Sequence, residues 1–221
     1  MKTCVILAGG KSSRMGRDKT LLPFGGFATL THYGAHKFGR IFDRVFVSSK
    51  FDKFDPPLPL IKDASPKEFS RSNLTQAGDK EGAEASFAQI CSQDTSNLSP
   101  DAFSPMLALY SILRNFPKES VFIIPADMPF VSEECVRELY KFAGEYDMVI
   151  AADDSHTHSL CGFFSGGLAD AAGELFAAGE HKIGLLRGRC RCKIIKFARA
   201  DEFFNINYPS DYERALKEGK I

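Results

Sequence analysis

Short, nearly continuous apolar runs alternate along the chain with stretches of helical periodicity. The runs are Cys4 to Ala8, Val45 to Ser48, Val121 to Ile124, Met148 to Ala152 and Cys192 to Phe197. All but the last lack the in-out alternation of a half-solvated strand, so they predict strands covered on both faces, as in a mainly parallel sheet flanked by helices. Between them, Met106, Leu109, Tyr110 and Leu113 recur at helical spacing within Pro105 to Phe116, with Ser104 as N-cap and Pro105 in the first turn. Ser132 predicts the cap of a second helix. Glu133 and Glu134 stand in its dipole-favoured first turn, and Val136, Leu139, Tyr140 and Ala143 follow at helical spacing. A last helix is predicted from Pro209 to Glu218, with Gly219 as its stop. The pattern is that of an α/β fold, and it favours one domain over residues 1–221.

One stretch departs from it. From Ala64 to Ser104 there are eight serines, few β-branched residues and the polar run from Gln76 to Glu84. About forty residues is long for a connection within a compact domain, which predicts a mobile insertion over 64–104 with room for one short helix at Glu81 to Cys91.

Composition narrows the class of function. The 28 Lys and Arg are balanced by 28 Asp and Glu, and the hydrophobic share of 44% is enough for a core. A balanced charge argues against a non-specific nucleic-acid coat, so no nucleic-acid partner is expected. The six cysteines are Cys4, Cys91, Cys135, Cys161, Cys190 and Cys192. Only the last two are close, without the second pair or histidines of a usual zinc site, and they read as reduced thiols. The apolar run after Met1-Lys2-Thr3 ends at glycines and charges, short of a signal core, and no segment approaches the length of a membrane span. The expectation is a soluble cytoplasmic protein with no membrane partner.

The most informative stretch is Leu7-Ala-Gly-Gly-Lys-Ser-Ser-Arg-Met-Gly-Arg-Asp-Lys19, directly after the first predicted strand. Glycines allow close approach of backbone N–H groups to phosphate, and Lys11, Arg14, Arg17 and Lys19 face one acid, Asp18. The spacing is neither that of the P-loop nor of the dinucleotide-binding G-x-G-x-x-G. A second basic run, His181 to Arg199, holds seven Lys and Arg and no acid. It reads either as capture of an anionic second substrate or as a solvated edge strand protected from aggregation by charge.

The pattern L-A-G-G-x-S-x-R-M-G-x-D-K-x-L-L from Leu7 to Leu22 resembles that of the molybdenum cofactor guanylyltransferases. These have a Rossmann-like nucleotidyltransferase fold, a mainly parallel sheet with helices on both faces. The resemblance continues through Val45 to Ser48, Leu60 to Asp63, Phe122-Ile-Ile-Pro-Ala-Asp-Met-Pro129, His158-Ser-Leu160 and Phe204-Asn-Ile-Asn-Tyr-Pro209, leaving the 64–104 insertion unmatched. It implies nucleotide contacts at Leu7, Ala8, Gly9, Gly10, Lys19, Ser48, Asp63, Asn205 and Asn207. It further implies phosphate contacts and catalytic roles for Lys19 and Arg14, and a Mg²⁺ ion on Asp127.

The residue chemistry is compatible. Asp127 follows an apolar strand, and strand carboxyl ends are where open α/β sheets bind ligands. Mg²⁺ takes one or two carboxylates plus substrate phosphates. The competing structural role is a helix cap near Ser132. Asp63 could instead begin a turn, and Asn205 and Asn207 could serve loop hydrogen bonding. His158 is either a substrate contact or an incidental loop residue. The implied substrates are GTP and molybdopterin, with delivery proteins or acceptor apo-enzymes as further candidate partners. Cytidylyl transfer to molybdopterin and a catalytically silent nucleotide-binding module are the alternatives. The chain departs from the family pattern at Ser104-Pro-Met-Leu-Ala-Leu109, where members often carry Gly-Pro-Leu-x-Gly and the missing second glycine makes backbone approach to a ligand less easy, and at Phe27-Ala28, in place of Lys-Pro.

Overall fold

Seven strands in the order β3-β2-β1-β4-β6-β5-β7 form one sheet in the computed structural model, which describes residues 1–10, 12–66, 69 and 103–218. The elements in chain order are β1 (Thr3–Leu7), α1 (Leu30–Gly39), β2 (Arg44–Ser49), β3 (Leu60–Lys62), α2 (Pro105–Arg114), β4 (Ser120–Pro125), α3 (Glu133–Tyr140), β5 (Met148–Ala152), β6 (Thr157–Ser165), α4 (Ala169–Ala177), β7 (Cys192–Lys196) and α5 (Pro209–Glu218). β1 pairs in parallel with β2 and β4, β2 with β3, and β5 with β7. β6 runs antiparallel between β4 and β5.

The continuous apolar runs are two-faced strands, as their composition predicts. Along β1, Val5 and Leu7 point into one core and Cys4 and Ile6 into the other; β4 divides Val121 and Ile123 from Phe122 and Ile124 in the same way. This follows from the period of two in an extended chain. The first core is completed by α2 and α4, the second by residues of α1 and α3, including Phe38, Cys135, Val136 and Leu139. α2 is buried from Met106 to Leu113, and each large apolar side chain so enclosed contributes on the order of 1.5–3 kcal/mol. Its N-terminus is capped as expected: Leu107 N–H donates to Ser104 Oγ at 3.3 Å. Ser132 caps α3 by accepting from Cys135 N–H at 3.1 Å, so the cap role is filled without Asp127.

Four elements escape the hydrophobic pattern, the shortest being β3, three residues long. α1 and α4 are rich in Gly, Ala and Thr, and β6 contributes Cys161, Phe163 and Phe164 from a sequence with a polar start. β6 comes closest to β5 at Gly162, where a Cβ would lie 2.0 Å from Val149 O. The register of the β5–β6 pair shifts just beyond, between Ile150 and Ala151. The predicted short helix at Glu81 to Cys91, and all but the ends of the expected 64–104 insertion, lie outside the described residues. At its leading end Phe69 is buried against the edges of Tyr110 and Phe176, with ring centroids 4.9 and 5.0 Å away.

Among the described residues no helix is long and apolar enough to cross a membrane. The described cysteines are free.

Four cations of the basic run His181 to Arg199 are ion-paired on the surface. β7 is an edge strand, and acids from other elements meet its cations: Arg189 with Glu174, Arg191 with Asp147, Lys196 with Asp154, and Arg199 with Glu134 and Glu202. Lys193 lies over the rings of Phe142 and Tyr146. Apart from Glu202, three residues beyond Arg199, these acids are distant in sequence and do not enter a local count of charge.

Candidate active site

β1 and β4 are neighbours from which the chain departs in opposite directions across the sheet, toward β2 on one side and β6 on the other. This is the switch point at which open α/β sheets form a ligand crevice beyond their strand ends. A cavity of about 440 Å³ lies there, lined by Leu7, Gly9, Gly10, Ser12, Arg14, Met15, Lys19, Thr20, Phe103, Pro125, Ala126, Asp127, Leu160, Asn205 and Asn207. The glycine loop leaves β1 and Asp127 follows β4, so adjacent strands carry both halves of the site.

Lys19 is its centre. Its Nζ forms an ion pair with Asp127 Oδ2 and donates to Asn207 Oδ1 at 3.0 Å and to Ile206 O at 3.1 Å. Ile206 N–H in turn donates to Asp127 O at 3.0 Å. Residues separated by more than a hundred positions are thus held on one ammonium group. Asp127 Oδ1 is buried with no hydrogen-bond partner among the described residues. An orphaned carboxylate oxygen at the edge of a cavity fits a divalent cation. No group of three or more His, Cys, Asp and Glu gathers as a metal cluster among the described residues. One carboxylate leaves the remaining positions to water and substrate phosphates, which is the usual binding of Mg²⁺.

Local backbone chemistry fixes the glycine loop. Gly10 has φ +122° and Gly16 φ +67°, conformations that side chains with a Cβ resist. Asp18 accepts from Thr20 N–H at 3.0 Å and from Thr20 Oγ1 at 2.7 Å, capping the short turn that presents Lys19. Ser12 Oγ accepts from Lys19 N–H at 3.2 Å. Lys53 ties the loop down, donating 2.8 Å to Ala8 O and 2.5 Å to Asp18 Oδ2. Burial pushes the Asp18 carboxyl up, but hydrogen bonds from Lys53 and Thr20 and the Lys53 charge leave it below the ordinary range. Arg14 lies over the Tyr208 ring, 5.6 Å from its centroid, in the range of a cation–π contact.

The sequence-derived site divides into three groups. Leu7, Gly9, Gly10, Arg14, Lys19, Asp127, Asn205 and Asn207 all line the cavity. Asn205, however, donates from Nδ2 to Phe203 O at 3.2 Å, whereas Asn207 meets Lys19. Ala8 and Ser48 are wholly buried. Ala8 contributes its carbonyl to Lys53, and the Ser48 hydroxyl donates to Asp63 Oδ1, so Ser48 orients that carboxylate. Asp63 is buried beside the loop, and its Oδ2 has no hydrogen-bond partner among the described residues. Burial raises its pKa, against the opposing effects of the Ser48 hydrogen bond and the charges of Lys50 and Lys53. Lys11 lies outside the described residues. His158 pairs with Asp153 at 3.0 Å and stacks on Phe203, with centroids 4.5 Å apart.

Sequence reading missed Lys53, Phe103 and Tyr208. Nothing local marks Lys53, which acts 35 residues from Asp18. Tyr208 lies within the Asn-Ile-Asn-Tyr-Pro segment, and α5 secures that segment: Asp211, in its first turn, accepts from Asn207 and Tyr208 N–H at 2.9 and 2.8 Å.

Fold and site together define a nucleotidyltransferase-type α/β protein, and comparison with known proteins agrees. Its fold is similar to 2-C-methyl-D-erythritol 4-phosphate cytidylyltransferase from Thermus thermophilus, with TM-score 0.63, 15% identity and all of both chains covered. It is also similar to molybdopterin-guanine dinucleotide biosynthesis protein A from Archaeoglobus fulgidus, with TM-score 0.69, 21% identity and 99% and 98% of the two chains covered. In sequence it is 37% identical over 216 residues to the molybdenum cofactor guanylyltransferase of Campylobacter jejuni serotype O:6, covering 97% of this chain and 95% of the relative. The Helicobacter pylori G27 protein of the same name is 24% identical over 225 residues, with 98% and 94% covered. The family model described as the MobA-like NTP transferase domain matches residues 4–191. The chain belongs to the MobA-like NTP transferase family, alongside the molybdenum cofactor guanylyltransferases.

Proposed function

We propose that this protein transfers GMP from GTP to the terminal phosphate of molybdopterin, releasing pyrophosphate and forming a molybdopterin guanine dinucleotide, with Mg²⁺ held by Asp127. The convergence of Lys19, Asp127 and Asn207 beside the glycine loop carries this reading. An oxygen of the acceptor phosphate forms a bond to the α-phosphorus of GTP while the bond from that phosphorus to the β-phosphate's bridging oxygen breaks. The electron pair leaves with pyrophosphate. A phosphate monoester is largely ionised at neutral pH, so its attack needs no strong general base.

What the protein supplies is alignment and positive charge. Lys19 and Arg14 face the triphosphate, and the backbone of Gly9 and Gly10 approaches it without side chains in the way. When bound, Mg²⁺ neutralises phosphate charge at the scissile bond. Asp127, Asn207 and the Ile206 carbonyl together take all three N–H donors of Lys19 and hold its ammonium at the cavity, so contact with the triphosphate exchanges one of these acceptors for a phosphate oxygen. Asp63 Oδ2, an acceptor without a partner among the described residues, suits the N–H donors of a guanine edge. The guanylyl choice rather than a cytidylyl one follows the names borne by the relatives at 36–37% identity.

The test is pyrophosphate release with molybdopterin and each of GTP, CTP, ATP and UTP, with and without Mg²⁺. Turnover with GTP alone, lost on chelation, is expected. Asp127→Asn should remain folded and lose about 10²- to 10³-fold in kcat, the usual cost of removing one preorganised electrostatic group. CTP-only turnover would replace the guanylyl assignment, and unimpaired Asp127→Asn would remove Asp127 from the metal site.

A further inference from the structure

Phe103 is the residue of the cavity that neither the transfer chemistry nor the glycine-loop pattern explains. Its ring spans the two glycines. A Cβ on Gly9 would lie 2.5 Å from Phe103 Cε2 and 3.0 Å from Cδ2, and one on Gly10 would lie 3.9 Å from Cδ1 and Cε1. The same bare face of Gly9 looks onto Asp63 Oδ2, 3.2 Å from that Cβ position. Like Asp127 Oδ1, this is a buried carboxylate oxygen without a hydrogen-bond partner among the described residues. An aromatic plane and two side-chain-free residues of the cavity wall therefore meet an unsatisfied acceptor behind Gly9.

The next residue fixes the ring's attachment to the fold. Ser104 caps α2 by accepting from Leu107 N–H, its carbonyl accepts from Ala108 N–H at 3.0 Å, and its hydroxyl meets His181 Nδ1 at 2.9 Å. The ring itself packs against the core beneath α2. It thus has a fixed base and an exposed edge on the cavity, and its χ angles are its freedom to move. Asp63 lines not this cavity but a neighbouring one, with Tyr110 and Arg114, and its Oδ2 and the ring meet at the bare face of Gly9.

We infer that Phe103 is the stacking platform for the nucleotide base: the ring covers the approach to Asp63 and turns to lie against a base whose edge reaches Asp63 Oδ2. Stacking on an aromatic ring is indifferent to base identity because every base has a π face, whereas an acceptor-only carboxylate oxygen selects for N–H donors. Affinity for the base and choice of base then reside on two different side chains. This rests on the nucleotide-transfer reading above.

The chain contains no tryptophan, so Phe103→Trp introduces a single indole reporter. Its emission should be quenched on titration with GTP and unchanged by tripolyphosphate, which has the phosphates without the base. Phe103→Leu keeps an apolar side chain against the core and loses the π face. It should bind GTP roughly 5- to 100-fold more weakly, the range expected for one base–aromatic stack, keep its affinity for tripolyphosphate, and raise KM for GTP more than it lowers kcat. Wild-type GTP affinity in Phe103→Leu, or an indole response that is equal for GTP and tripolyphosphate or absent for GTP, CTP, ATP and UTP alike, overturns the inference. Failure of wild-type protein to turn over GTP with molybdopterin would instead strike the transfer reading. A base-dependent indole response would survive that result and still assign Phe103.

Discussion

Asp63 shows how one side chain can cost the fold something and serve the site. It is buried, its hydrogen-bond donor among the described residues is the Ser48 hydroxyl, and burial raises its pKa. A carboxyl with a folded pKa above the unfolded one binds more protons when folded, so its contribution to stability is greatest below the ordinary value of 3.8 and is lost as pH rises through the folded pKa. Asp63→Asn should therefore raise the melting temperature at neutral pH. The advantage over wild type should shrink as pH falls toward 3.8. Thermal unfolding of both proteins across that range checks the sign, and an advantage that grows on acidification would refute it. The variant should also bind GTP more weakly, because the amide places a donor where the guanine edge needs an acceptor.

Among the elements, β6 is the piece on which the sheet's arrangement turns. It inserts antiparallel between β4 and β5 and separates two strands that would otherwise read as neighbours. Gly162 permits this, since any Cβ there would collide with the β5 backbone at Val149 O and Ile150 Cα. Gly162→Ala is expected to destabilise the protein by roughly 1–3 kcal/mol or more, as overpacking of a close-packed interior does, measured by denaturant unfolding; unchanged stability would show that β5 and β6 can separate at no cost. α2 and α3 were legible because Ser104, Pro105, Ser132, Glu133 and Glu134 mark their starts with local chemistry. α1 and α4 were not. Their Gly, Ala and Thr content weakens the periodic signal, and neighbouring elements supply the packing that makes them helices.

Viewed as a whole molecule, the neutral balance of 28 against 28 charges conceals an uneven surface whose pairing is decided by folding. The run from His181 to Arg199 is basic in sequence yet meets acids of β5, α3 and α4 and their flanking loops. The cations that line the cavity, Arg14 and Lys19, belong instead to the glycine loop. Double substitution Lys193→Gln and Lys196→Gln is accordingly expected to leave KM for molybdopterin unchanged in steady-state assays, whereas capture of the acceptor by this edge would raise it several-fold. Lys53 illustrates the same rule at the site: it comes from beyond β2 and holds Ala8 and Asp18 in place.

Local sequence was enough for the strands that bear the site, the glycine loop between Leu7 and Lys19, the position of Asp127 after an apolar strand, and the capped helix starts. Each depends on interactions within a few residues or on the period of two along an extended chain. Folding in three dimensions added what depends on contacts between distant segments. It placed Lys19 on Asp127 and Asn207, buried Ser48 behind Asp63, brought Lys53 to the loop and Phe103 onto Gly9, and turned a basic run into a paired edge strand. No local pattern encodes these, because each is the outcome of which strands become neighbours, and that is settled by packing both faces of the sheet at once.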